Sequence, residues 1–417
     1  MNKYLEKIKY SEFYKENLQK TQLVQGLLSI RDKLRLATEP KGLELKTQLE
    51  RDAQLFDSIT DKKWSLYITN DWGGGSESYL KQQQEKATES NQEIIVLRYR
   101  KNKKRYEIEG FYEKQPVYLE DISELKELGN WLHIEEIYIN QFVLFPNIVQ
   151  VLEEVLLAKE RFNAKLVMLV HDYFAVCPSF TMTNRDGKFC RDAIGGSCQE
   201  CYKEWNFQKT YAVDSIRDWR SHWRHFLETC DEVRCFSEDT QKRMRKFYGD
   251  HLAYTCIPHV VTYLEPVTRG DKTTKFLNIG ILGILNKQKG GRVVQQMLQE
   301  IQDRNLAIRI ILLGFADGIK LKESEHFICT GRYQPTDLPR LIQENDIDVF
   351  FIASIWPETF SYTTEEVMKM DMPIVTFDLG APADRVAGYE KGMILDLAME
   401  PAEILKRISS WKTLDRR

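Results

Sequence analysis

The sequence predicts an α/β protein built from two Rossmann-like, doubly wound domains that face each other across a cleft, behind a helical amino-terminal extension. Short apolar runs alternate with helix-period segments over two long stretches, which is the signature of parallel βαβ units. A polar, turn-rich stretch, PVTRGDKTTK at residues 266–275, separates the two series. The chain has 417 residues and 42% hydrophobic content, more than one core usually serves.

Residues 1–62 are rich in Lys, Glu, Gln and Leu and contain no convincing strand. Leu23, Leu27, Ile30 and Leu34 recur at helical spacing, and Pro40 with Gly42 breaks that helix before a second one. The plain reading is a helical cap on the next domain; the alternative is a docking surface for a protein partner or for peripheral membrane contact. Over residues 63–265 the runs SLYIT, EIIVLRY, EEIYINQF, KLVMLVHDY and VRCFS read as strands of the first Rossmann-like domain. Residues 266–417 repeat the pattern with FLNIGIL, IRIILLG, EHFICTG, DVFFIAS and PIVTFD, with helices such as GRVVQQMLQEIQDR and DLPRLIQEN between them. Open α/β sheets bind ligands outside the carboxyl ends of their strands, so function is expected in the loops that follow these runs.

A net charge of −3 with 29% charged residues gives no global attraction to polyanions, and no nucleic-acid partner is expected. The opening MNKYLEKIKYSEF has no apolar run that could act as a leader. No stretch approaches the ~18 consecutive apolar residues of a membrane span. The expectation is a cytoplasmic protein, with any membrane contact peripheral at the inner face of the plasma membrane.

Four strand-end loops carry unusual residues. In ITNDWGGGSESYL, the glycines at 73–75 let backbone N–H groups approach a ligand, and the helix start behind them favours phosphate; a tight turn is the plain alternative. The spacing is not G-x-G-x-x-G and no acid ends the following strand, which disfavours a dinucleotide. LVMLVHDYFAVCP ends its strand at His171 and Asp172, where an imidazole can donate a hydrogen bond or act as acid or base near neutrality, unless it is a satisfied structural histidine. NIGILGILNKQKGGRVV places Lys287, Lys289, Gly290 and Gly291 before a helix, a diphosphate clamp or a solvated loop. Last, WPETFSYTTEE follows DVFFIAS. Its helix is expected to start near Ser361 to Thr363, with the N–H groups of Ser361 and Tyr362 facing anionic oxygen. Glu358 then lies in the loop and Glu366 about one turn in, where carboxylates suit sugar hydroxyls.

Glu358 and Glu366 form E-x7-E. Together with the KG element at Lys289 and Gly290 and the run PETFSYTTEEVMKMDMPIVTFDLGAPADRV, they make this half resemble the nucleotide-sugar-binding half of family 4 glycosyltransferases, which have the two-domain GT-B architecture. NDWGGGSESYL resembles that family's amino-terminal Gly-rich loop and VHDYFAVCP its His-bearing strand end, so the resemblance covers roughly residues 64–410. ETFSY with DLGAPADR looks closest to bacterial enzymes of polysaccharide assembly, O-antigen included, that make rhamnose-containing or mannose-containing chains.

The resemblance implies retaining transfer of a hexose or deoxyhexose from a nucleoside-diphosphate sugar to a growing bacterial cell-surface glycan, free or lipid-linked, with no cofactor required for catalysis. It implies that Glu358 contacts the donor sugar near the reaction centre, Glu366 holds the ribose, and Lys289 neutralises the diphosphate leaving group. Gly74 and Gly75 would allow closure over the phosphates, with His171 against the donor sugar and Gly290, Ser361 and Tyr362 completing the donor site. One position departs from the pattern. Many members carry Arg five residues before the lysine, and here the pair reads Gly283-Ile284, leaving Lys287 or Arg292 as substitutes. Two other readings share the fold: a non-catalytic module that binds a nucleotide sugar or glycan and scaffolds other enzymes through residues 1–62, and a sugar epimerase.

Cytosolic glutathione opposes disulfides, so the eight cysteines are expected to be thiols or metal ligands. Cys177-x12-Cys190-x7-Cys198-x2-Cys201 ends in a C-x-x-C pair, and four thiolates suit a structural zinc; free thiols and an iron–sulfur cluster are the alternatives. The segment follows His171 directly and should flank the acceptor side of the cleft.

Overall fold

The computed structural model describes residues 43–44, 62–89, 92–110, 117–191 and 196–411. Leu43–Glu44 forms strand β1, paired in parallel with Val117 and Tyr118. Two residues carry no readable periodicity, so composition alone showed no strand there. The rest of the helical extension expected over residues 1–62 lies outside the described residues, Lys62 excepted.

The first sheet contains β2 (Lys63–Asn70), β3 (Glu93–Arg100), β4 (Arg105–Glu109), β5 (Val117–Leu119), β6 (His133–Ile139), β7 (Lys165–Leu169), β8 (Glu232–Cys235) and β9 (Tyr254–Cys256). Its order is β1-β5-β4-β3-β2-β6-β7-β8-β9. The pairs β3–β4 and β4–β5 are antiparallel. This meander escaped the sequence reading because its strands are laced with charge. Glu107, buried on β4, accepts from Arg100 at 2.7 Å and from Arg105 at 2.6 Å. Although burial opposes its charge, these cations hold its carboxyl down at about 2.

The second sheet contains β10 (Leu277–Leu285), β11 (Ile308–Ala316), β12 (Phe327–Cys329), β13 (Val349–Ile352), β14 (Ile374–Phe377) and β15 (Gly392–Leu395), ordered β12-β11-β10-β13-β14-β15 and parallel throughout. Both faces are covered, so a strand such as Val349–Ile352 is apolar and buried at every position. Strand order reverses between β2 and β6 in one sheet and between β10 and β13 in the other. Crevices open at such reversals.

On the first domain, the helix Ile216–Thr229 buries Trp219, Trp223 and Phe226 against Phe142 and Phe174. In the second, the helix Gly291–Asp303 buries Val294, Met297 and Ile301 in the core beside Ile310 and Phe351. Each such side chain stabilises by about 1.5–3 kcal/mol. The connection after β9 crosses between the domains, and Val261 and Leu264 are already buried against Ile311 and Phe350 of the second. Further contacts join the domains, among them the Thr359 hydroxyl, which donates to the His171 carbonyl at 2.7 Å, and Phe189, which packs against both cores. Among the described residues no helix is long and apolar enough to cross a membrane.

Gly283 and Gly314 are register partners on β10 and β11, and a Cβ on Gly314 would sit 1.9 Å from the Gly283 carbonyl oxygen, at a φ of +142°. Gly314→Ala is therefore expected to cost about 3 kcal/mol, from steric overlap together with backbone strain. A urea-denaturation midpoint unchanged from wild type would contradict this.

Candidate active site

The two strand-order reversals face one cavity of about 490 Å³, walled by the Gly-rich turn, His171 and Asp172 from the first domain and by Lys289, Glu358 and Tyr362 from the second. Lys289 leaves the loop after β10 and Glu358 the loop after β13, neighbouring strands, so their side chains meet. Lys289 Nζ pairs with Glu358 Oε2 and the Ser354 hydroxyl donates to Oε1. Glu358 is 2% exposed, and a buried carboxylate requires such partners. Its backbone is held as well: Ala381 N–H donates to its carbonyl at 2.8 Å. A Cβ on Gly380 would meet its amide nitrogen at 2.7 Å.

Gly290 sets the position of Lys289. It has φ +79°, and a Cβ there would stand 1.9 Å from the Ala353 carbonyl oxygen, so only glycine lets the lysine loop close on the segment after β13 that carries Ser354. Across the cavity, Gly73 and Gly74 have φ of +82° and +85° with open space beside them, which leaves their backbone approachable. A Cβ on Gly75 would stand 3.6 Å from the Tyr362 ring. Arg98 anchors this turn from behind, donating to the Asn70 carbonyl at 2.7 Å and to Glu77 at 2.8 Å.

His171 sits in an aromatic nest. Its ring stacks on Phe236 at 4.6 Å and meets Tyr79 edge-on. Asn140 donates from Nδ2 to Thr69 and the Ser76 carbonyl, so its Oδ1 is the acceptor and His171 Nε2, 3.1 Å away, carries the proton. Burial holds the imidazole well below its ordinary range, so His171 is neutral and not the near-neutral acid or base that its strand-end position suggested.

The structure adds two residues to those chosen from sequence. His259 follows β9 and joins the cavity wall. Its ring lies 4.1 Å from Phe236 and 4.2 Å from Phe360, its Nδ1 meets the Tyr362 hydroxyl at 2.9 Å, and its buried Nε2 has no protein partner. Burial pushes it down to about 3. Sequence reasoning missed it because it lies beyond a three-residue strand that was itself unread. Asp172, noted beside His171 but given no role, also faces the cavity and is pushed up to about 6 by burial, against donors from Gln141 and the Phe174 N–H.

Three expected donor ligands stand behind the wall instead of on it. Gly290 shapes its loop. Ser361 is the N-cap of the helix Tyr362–Lys369, its hydroxyl accepting from the Thr364 N–H. Glu366 is buried and accepts from the Tyr263 hydroxyl at 2.6 Å, and burial raises it to about 7. Neither proposed substitute for the absent arginine reaches the cavity: Arg292 donates to the Asp186 carbonyl at 3.4 Å, and Lys287 does not line the wall. Ile284 does line it, half exposed, which leaves Lys289 as the one Lys or Arg of the wall among the described residues. Cys177, Cys190, Cys198 and Cys201 line a separate cavity.

Residues 276–411 match the family model described as Glycosyl transferases group 1. Three solved structures share the fold. Sucrose-phosphate synthase from Thermosynechococcus elongatus has a TM-score of 0.55 at 12% identity, covering 84% of this chain and 90% of its own. HepE of Anabaena in complex with UDP has a TM-score of 0.51 at 13% identity, covering 84% and 91%. A glycosyltransferase from Rickettsia africae has a TM-score of 0.54 at 12% identity, covering 85% and 90%. A search of curated protein sequences finds no match. The two facing domains have the GT-B fold, and the carboxyl-terminal one matches the glycosyltransferase group 1 model.

The folded ligand-free protein holds a proton on Glu366 up to about pH 7, whereas the unfolded chain releases it near 4.5. Glu366 therefore favours the folded state at low pH, and that contribution is lost as pH rises through about 7. Between pH 5 and pH 8 the melting temperature of Glu366→Gln should fall less than that of wild type; parallel profiles would contradict the assignment.

Proposed function

We propose that this chain is a retaining glycosyltransferase that moves a hexose or deoxyhexose from a nucleoside-diphosphate sugar onto a growing bacterial cell-surface glycan. The observation that carries the reading is the Lys289–Glu358 pair, a buried carboxylate under a part-exposed lysine, on one wall of the interdomain cavity opposite the Gly73–Gly75 turn. The anomeric carbon's bond to the diphosphate oxygen breaks, its bond to the acceptor hydroxyl oxygen forms on the same face, and the acceptor's proton passes to the departing diphosphate. Negative charge accumulates on the leaving group, and Lys289 with the backbone donors of the Gly-rich turn stands where it can be met. As the lysine turns to phosphate, Glu358 is freed to accept from a sugar hydroxyl. His259 Nε2, the imidazole atom left without a protein partner, gives a ligand oxygen one further hydrogen-bonding group.

The glycosyltransferase family match and the GT-B fold support the reaction class. HepE, solved with UDP and with UDP-glucose, supports a nucleotide-sugar donor. Glu366 would reach the ribose by giving up Tyr263. A glycan or lipid-linked glycan is the acceptor in this reading, with residues 1–62 available for a protein or peripheral membrane partner.

One observation favours a second reading. With Ile284 on the wall and no second Lys or Arg beside Lys289, the clamp is weaker than the family pattern, as a non-catalytic binding module would have it. A thermal-shift panel of nucleoside diphosphates identifies the base, since a ligand at 100 times its dissociation constant stabilises by about 2.7 kcal/mol. With the matching donor sugar, Lys289→Ala and Glu358→Gln should each lower kcat by about 10²–10³-fold while remaining folded. Wild-type rates in both would place the site elsewhere, and binding without transfer or donor hydrolysis by the native protein would leave the binding module. His259→Phe should weaken donor binding by about tenfold, the worth of one buried hydrogen bond.

A further inference from the structure

The Cys-rich segment plays no part in the chemistry assigned above, yet its thiols are gathered. Cys177, Cys190, Cys198 and Cys201 all line one cavity of about 380 Å³. They reach it from three pieces of backbone. Cys177 closes a turn on the Tyr173 carbonyl, and Cys190 returns along the Thr183–Phe189 bridge to donate to the Met182 carbonyl. Cys198 and Cys201 stand three apart on the helix Gly196–Glu204, hence on one face.

We propose that these four thiols bind one zinc ion as a tetrahedral tetrathiolate site that staples the loop forming the acceptor-side wall of the cleft. Donors already point at the sulfurs. The Ser179 hydroxyl lies 3.3 Å from Cys177 Sγ, and Arg220 donates to Cys198 Sγ at 3.7 Å. A neutral thiol is a weak acceptor, whereas metal-bound thiolates collect such donors around them. Arg220 also offsets part of the net charge of −2 that Zn²⁺ with four thiolates carries.

Among the described residues, no three His, Cys, Asp or Glu side chains are already drawn together as a metal shell. Binding therefore requires the ion to draw the four sulfurs inward, to about 2.3 Å from it. Four Zn–S bonds form, four S–H protons go to solvent, and nothing is oxidised or reduced.

The position gives the staple a purpose. Phe180 and Thr181, between Cys177 and Cys190, line the candidate active site. The same loop reaches the second domain through the Asp186 carbonyl, which accepts from Arg292, and through Phe189, which packs on both cores. A crosslink here holds the cleft wall in place without touching the reacting atoms.

The test is metal analysis of the full chain purified under reducing conditions without chelator, and it does not depend on the proposed activity. One zinc per chain is expected, lost in a Cys198→Ser/Cys201→Ser double variant and retained in Cys256→Ser. Less than half an equivalent of any transition metal, iron with acid-labile sulfide, or zinc retained by the double variant would each overturn the proposal. Cobalt exchange into the wild-type protein avoids variants that fail to fold. Intense tetrahedral ligand-field bands with thiolate charge transfer support the site; the weak bands of octahedral cobalt refute it.

Discussion

The ion pair between Lys289 and Glu358 is the interaction around which the second domain arranges its loops. A carboxylate this deeply buried is stable only with a cation and a hydroxyl at hand, and Ser354 supplies the second of these. To bring the lysine there, the chain needs Gly290 against the Ala353 carbonyl; to hold the carboxylate, it needs Gly380 against the Pro357–Glu358 backbone. Both glycines have positive φ, so each is set by a close approach that no larger residue permits. In the proposed reaction the pair is also a pre-formed exchange site: a diphosphate competes for the same lysine, and its arrival releases the carboxylate toward a sugar.

The opposite side of the cavity follows a different logic. His171 and His259 are both neutral, packed with Phe236, Tyr79 and Phe360, so this side offers directed hydrogen bonds, with Asp172 as its carboxyl group. Positive charge is concentrated at Lys289 and in the backbone dipoles of the glycine turn and the helix start. A low-dielectric wall facing one cation strengthens that cation's hold on an anionic ligand. The domains are tied by polar contacts at this level, notably Thr359 to the His171 carbonyl, which couples the histidine strand to the Glu358 loop directly.

Much of this was legible in the residue order. Fully buried parallel strands such as DVFFIAS and PIVTFD announce themselves as continuous apolar runs, and glycines followed by a helix mark the phosphate-facing turns. Reading failed where charge or brevity hid a strand, in β4 with its ring of Arg and Glu and in β9 with its three residues. The loss of β9 hid His259 with it. The structure also separates motif residues that look equivalent on paper. Ser361 and Glu366 are as prominent in the sequence as Glu358, but the helix turns them inward, one to cap its own first turn and the other to meet Tyr263.

By itself, the sequence determined the two-domain α/β organisation and singled out the strand-end loops that carry Lys289, Glu358 and the Gly-rich turn. These depend on local periodicity and on residue chemistry, which are written along the chain. Only the tertiary structure decided which of those residues share a wall, that Ile284 stands where a second cation was expected with no lysine or arginine replacing it, and that four distant cysteines open onto one cavity. Those outcomes depend on strand order and on the direction each side chain leaves its helix, and they come from packing between segments that are far apart in sequence.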